Sequence, residues 1–147
     1  MVTASTPVDV LLVEDDPGDE LITREAFEQN SIGNTLHVAH DGQEALDFLY
    51  QRGPFADAPR PGLILLDLNL PKYDGRHILQ TLKSDDELST IPVIVLTTSS
   101  LEEDVLRSYQ LHANAYVTKP VDLDQFMAAV RQIDEFFIQV VRLPPRR

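Results

Sequence analysis

Short, nearly uninterrupted apolar runs recur along the chain, and between them the apolar residues switch to a spacing of three or four. Residues 8–13, 63–66, 93–96 and 115–117 are such runs, the first broken only by Asp9, and residues 36–39 form a weaker one around His37. A short run with no polar alternation predicts a strand covered on both faces, the habit of parallel sheets. In between, Leu21, Ile22, Ala26 and Phe27 make one helical stripe, Ala45, Leu46 and Leu49 a second, and Ile78, Leu79 and Leu82 a third. Val105 and Tyr109 mark a fourth. The longest comprises Leu123, Phe126, Met127, Val130, Ile133, Phe137 and Val141, which recur at helical spacing.

The polar punctuation agrees with these elements. Asp16-Pro17 offers an N-cap followed by proline at the first helical position, and Ser100-Leu-Glu-Glu103 has capping-box spacing. His40-Asp41-Gly42 reads as a turn, and residues 52–62, with Pro54, Pro59 and Pro61, as a connecting loop. Five strands alternating with five helices predict an α/β domain of three layers around a parallel sheet. The expected organisation is a polar lead-in over 1–7, one domain over 8–135, and an apolar extension of the last helix over 136–147. No built-in effector domain is expected after it.

In a parallel α/β sheet, sites form beyond the carboxyl ends of the strands, so the polar residues there are the candidates. The first strand ends in Glu14-Asp15-Asp16, the third in Asp67 and then Asn69, the fourth in Thr97-Thr98-Ser99, and the fifth in Lys119-Pro120. Each alone has a structural explanation: a helix N-cap for Asp15 or Asp16, a backbone-bonded hydroxyl for Thr97, a surface ammonium for Lys119. Together they are complementary. Converging carboxylates demand a cation, and all-oxygen ligands favour Mg²⁺. An Asp carboxylate can serve as nucleophile and carry a phosphoryl group. A lysine and a hydroxyl nearby could neutralise the equatorial oxygens of that group.

Composition narrows the partners. The formal net charge of −12 repels phosphate backbones, so nucleic acid is not an expected ligand. Cysteine is absent, which removes disulfides and thiolate metal sites and fits a reducing cytoplasm. No run of about 18 apolar residues is present to span a membrane, and the N-terminus lacks the features of a signal peptide. Neither glycine-rich nucleotide motif occurs. The histidines, at 37, 40, 77 and 112, are dispersed, and no zinc site is expected.

Four stretches now carry a resemblance: Leu12-Val-Glu-Asp-Asp16, Leu65-Leu-Asp-Leu-Asn-Leu-Pro-Lys-Tyr-Asp-Gly75, Ile91-Pro-Val-Ile-Val-Leu-Thr97 and Tyr116-Val-Thr-Lys-Pro120. In this order and spacing they resemble the response-regulator receiver domains of two-component systems. The resemblance implies a flavodoxin-like fold with sheet order 2-1-3-4-5. It implies that Asp67 is the phosphoacceptor, and that Mg²⁺ is held by Asp15, Asp67 and the backbone carbonyl of Asn69. Glu14 stands where many receivers have Asp, and would reach the ion through water. Thr97 would be the switch hydroxyl, Lys119 its phosphoryl-pairing lysine, Tyr116 the switch aromatic, and the bond before Pro120 would be cis. Such a protein is a phosphoacceptor for a sensor histidine kinase, not a conventional enzyme.

The extension past residue 135 holds Phe136, Phe137, Val140 and Val141, which are expected to be covered by a partner. With the stretches at 60–67 and 96–99, it resembles the single-domain regulators paired with bacterial phytochrome kinases. That resemblance implies a homodimer through the fourth helix, fifth strand and fifth helix. Two other readings compete. A haloacid-dehalogenase-like hydrolase also uses an Asp nucleophile with Mg²⁺, but needs an acid/base Asp where this chain has Asn69. A receiver used only for binding would have lost the acidic pair or the lysine, both of which are present here.

Overall fold

The structure is a computed structural model of the chain, described over residues 9–29, 35–68, 75–97, 113, 115–119, 124–125 and 128. The apolar runs form strands β1 (Val10–Val13), β2 (Leu36–Ala39), β3 (Leu63–Asp67), β4 (Val93–Thr97) and β5 (Ala115–Thr118). They pair in parallel in the order β2-β1-β3-β4-β5. Helices α1 (Pro17–Gln29), α2 (Gly42–Leu49) and α3 (Gly75–Ser84) connect them. This is the flavodoxin-like α/β arrangement that the sequence implied.

Strands β1, β3 and β4 are buried at every position, because both faces of the sheet are covered. On one face Leu11, Val13, Ile64, Leu66, Val93 and Val95 pack with Phe48 and Leu49 of α2 and with Ile78, Leu79 and Leu82 of α3. On the other, Val10, Leu12, Leu63, Leu65, Ile94 and Leu96 are buried as completely. Each such side chain contributes about 1.5–3 kcal/mol relative to exposure. The edge strands β2 and β5 are covered less fully.

Helix α1 starts where the Asp16-Pro17 pair predicted. The Asp16 carboxylate accepts hydrogen bonds from the backbone N–H of Gly18 at 2.7 Å and of Asp19 at 3.3 Å. Two residues of the expected apolar stripe do not face the core, however: Leu21 and Ile22 are 55% and 40% exposed. Thr23 is buried instead, and its hydroxyl donates to the Asp19 carbonyl. His40-Asp41-Gly42 is more than a turn, since Asp41 is the N-cap of α2 and accepts from the Glu44 N–H at 2.8 Å. The loop over 52–62 contains a 3-10 turn, Gly53–Phe55, whose phenyl ring meets that of Phe48 at 5.7 Å.

Gly75 sets the approach of α3 to the end of β3. Its N–H donates to the Leu68 carbonyl at 2.9 Å. A Cβ there would lie 2.5 Å from Leu68 Cα and 2.7 Å from the Asp67 carbonyl oxygen. Only glycine lets the helix begin against the backbone that has just delivered Asp67.

The expected fourth and fifth helical stripes lie largely outside the described residues. So do the capping box at 100–103, Asn69, Pro120, Phe136, Phe137, Val140 and Val141.

Candidate functional site

Register brings the strand-end residues together. Val13 pairs with Leu66, so Glu14 follows β1 beside Asp67, the last residue of β3. Asp67 pairs with Leu96, which puts Thr97 one step further on β4. Thr97 pairs with Thr118, and the Lys119 N–H donates to the Thr97 carbonyl at 2.8 Å. The ladder alone thus carries four chemically distinct residues to one end of the sheet.

The Glu14 and Asp67 side chains meet at the Lys119 ammonium. Nζ donates to Asp67 Oδ2 at 2.9 Å and to Asp19 Oδ2 at 3.1 Å. It also lies 2.9 Å from Glu14 Oε1. That last contact is an ion pair without hydrogen-bond alignment, and Glu14 Oε1 is a buried oxygen that accepts no hydrogen bond among the described residues. Glu14, Asp67 and Thr97 are buried, whereas Asp15 is exposed. Glu14 Oε2 faces the Asp16 N–H at 3.3 Å.

The donor set fits a divalent cation. Glu14, Asp15 and Asp67 each offer a carboxylate oxygen, all within 4.8 Å of one another. These are hard oxygen ligands, and one of them is the buried oxygen without a hydrogen bond. The exposed position of Asp15 gives the cluster an opening to solvent. Tyr116 is half-buried against the core, and its hydroxyl accepts from the Ala113 N–H at 3.5 Å.

Asp19 is the member that strand-end reasoning missed. It stands in the first turn of α1, where an acidic residue is explained well enough by the helix dipole. Only its position four residues after Asp15 pointed toward the site.

Crowding shifts the charges. Burial, reinforced by the neighbouring Asp67 and opposed by Lys119, pushes the Glu14 carboxyl up to about 7. Burial alone would lower the Lys119 ammonium, but its pairing with the Asp67 and Glu14 carboxylates outweighs this and raises it. A carboxyl raised in the folded state stabilises most below its unfolded value of 4.5 and loses that contribution as pH rises through about 7. The raised lysine acts only in the alkaline range, outside this window. A divalent cation binds the ionised carboxylate, so its effect should grow over the same interval. We expect the melting temperature without metal to fall between about pH 4.5 and 7, and the gain from saturating Mg²⁺ to widen over the same interval. Circular-dichroism melts would check this, and a metal effect independent of pH would contradict it.

Comparison with known proteins adds a family match and several similar proteins. A family model described as the response regulator receiver domain matches residues 10–131. Response regulator Rcp1 of Synechocystis sp. is 44% identical over 96% of each chain. Its Mn²⁺-bound crystal structure matches with a TM-score of 0.73 over 95% of this chain and all of that one, at 45% identity. The bacteriophytochrome response regulator AtBRR matches at 46% identity with a TM-score of 0.83, over 86% of this chain and 92% of that one. The phosphorylated cyanobacterial phytochrome response regulator RcpA matches at 44% identity with a TM-score of 0.74, over 95% and 100% of the two chains. No helix among the described residues is long and apolar enough to cross a membrane.

Proposed function

The chain belongs to the response regulator receiver family, and from that premise we propose that it is a cytoplasmic signalling protein switched by a phosphoryl group on Asp67. The observation that carries this reading is the Lys119 ammonium, 2.9 Å from Asp67 Oδ2 beside a cluster of further carboxylates. The phosphorylated state of RcpA, a relative at 44% identity, supports it.

The donor is the phosphohistidine of a sensor histidine kinase, and the names of the chain's own structural relatives suggest a kinase of the phytochrome class. A carboxylate oxygen of Asp67 forms the new P–O bond while the P–N bond breaks and its electron pair leaves with the imidazole. Lys119 keeps its proton and meets the charge on the transferred group. The Thr97 hydroxyl, one residue further on β4, donates to a phosphoryl oxygen, and Tyr116 turns as Thr97 moves. The residues that would hold Mg²⁺ are Asp15, Asp67 and the carbonyl of Asn69, with Glu14 acting through water. When bound, the ion supplies charge neutralisation for the phosphoryl oxygens.

The output of such a domain is a change in a protein-binding face. We assign it to the side of β5 and the residues that follow, with Phe136, Phe137, Val140 and Val141 as the core of a homodimer contact. The doubly substituted chain Phe137→Asp, Val141→Asp should sediment as a monomer where the parent sediments as a dimer. Identical sedimentation would remove the dimer.

Acetyl phosphate with Mg²⁺ tests the function. The expected result is one phosphoryl group per chain, labile to hydroxylamine as an acyl phosphate is. No incorporation, from this donor or from a phosphorylated kinase, would contradict the reading.

A further inference from the structure

Asp19 occupies the third helical position of α1, and its carboxylate is not engaged in the way that position usually is. In a capping box the carboxylate at this position turns back to the N–H of the N-cap residue. Here the Asp16 N–H faces Glu14 Oε2 at 3.3 Å, and the Asp16 side chain serves the N–H groups of Gly18 and Asp19. The Asp19 carboxylate turns instead to Lys119, with Oδ2 3.1 Å from Nζ. Its backbone is fixed independently, because the Asp19 carbonyl accepts from the buried Thr23 hydroxyl.

Lys119 is a flexible side chain with three donors, and it follows the last residue of a strand. Two of the carboxylates around it, Glu14 and Asp67, belong to the group that can hold a divalent cation, and Asp19 does not. Once a cation neutralises Glu14 and Asp67, their pull on the ammonium weakens. The pull of Asp19 remains. It comes from the first turn of α1, outside the group that can hold the cation.

Resting on the phosphoacceptor reading of Asp67, we propose that Asp19 is a positioning residue that holds the Lys119 ammonium beside Asp67 when the metal-binding carboxylates are neutralised. It touches neither the phosphoryl group nor the ion. Its effect on phosphorylation passes wholly through Lys119.

A cycle of variants tests this in the full chain, with acetyl phosphate and saturating Mg²⁺ and the rate of Asp67 labelling as readout. Asp19→Asn keeps the shape and removes the charge. It should lower the saturating rate about 5- to 10-fold while the half-saturating donor concentration changes less than about 2-fold. Asp19→Glu should restore most of the rate. In a Lys119→Ala background, which is slower but keeps the nucleophile and the carboxylates, Asp19→Asn should add less than about 2-fold. An equal drop in both backgrounds would assign the effect to the general field or to α1 and overturn the positioning role, as would no drop at all. A parent chain that takes up no label would overturn the function itself and this role with it, so the two failures are told apart by the parent alone.

Discussion

Replacing Asp67 by Asn is expected to reduce phosphoryl incorporation from acetyl phosphate and Mg²⁺ to background, a loss of at least about 10³-fold. The amide oxygen is not a competent nucleophile, and no neighbour can take over in place. Glu14 is buried, with its carboxyl held half-protonated near neutral pH by burial and by Asp67 itself. Asp15 is exposed and has no lysine contact among those described for Lys119. The variant should nevertheless fold well. Losing the Asp67 charge removes one cause that raises the Glu14 carboxyl, while the Lys119–Glu14 pair persists. An unchanged or higher melting temperature together with lost labelling is therefore the predicted pair of results. Labelling at the parental yield would remove Asp67 from the mechanism.

The second large effect is that of Lys119→Met. In the parent, one ammonium that is 11% exposed lies against two carboxylates that are 0% and 3% exposed. Removing one partner of a buried ionic group leaves uncompensated charge, at a cost of about 3–5 kcal/mol. Glu14 can relieve part of that cost by taking a proton, the more readily once the lowering influence of Lys119 is gone. The loss should accordingly be larger at pH 8 than at pH 6. It would appear as a melting temperature lower by about 6–15 °C, and saturating Mg²⁺ should recover most of it by replacing the ammonium as counter-ion. Labelling should slow by about 10²–10³-fold, the typical effect of deleting one charge-stabilising donor. A variant that melts like its parent with and without Mg²⁺ would show that Lys119 does not neutralise the carboxylates.

These effects were foreshadowed in the sequence to different degrees. The strands were legible because residues 10–13, 63–66 and 93–96 are buried on both faces and are apolar without interruption. The convergence of Glu14, Asp67, Thr97 and Lys119 was legible because parallel register carries every strand end to the same side of the sheet. Helix α1 was legible in its start but not in its orientation. A spacing of three or four defines a face without saying what that face meets, and Leu21 and Ile22 stay in solvent while Thr23 turns inward.

Asp19 was hidden for a related reason. A first-turn acid is adequately explained by its own helix, and its partner Lys119 is 100 residues away in sequence. The demand on Gly75 was equally invisible, since it arises from the backbone of Leu68 and Asp67 crossing the first turn of α3. The Asp41 cap was half visible. The polar triplet after β2 marked a break, but only the bond to the Glu44 N–H shows that the break is also the start of α2.

The most direct measurement is the position of the label. The chain is phosphorylated with acetyl phosphate and Mg²⁺, reduced with borohydride, which converts an aspartyl phosphate to homoserine, and digested for mass spectrometry. Homoserine is expected at position 67, with every other aspartate of the chain unmodified. Label confined to Asp15, to Asp19 or to another residue, or no label in a chain that is folded and metal-loaded, would contradict this expectation.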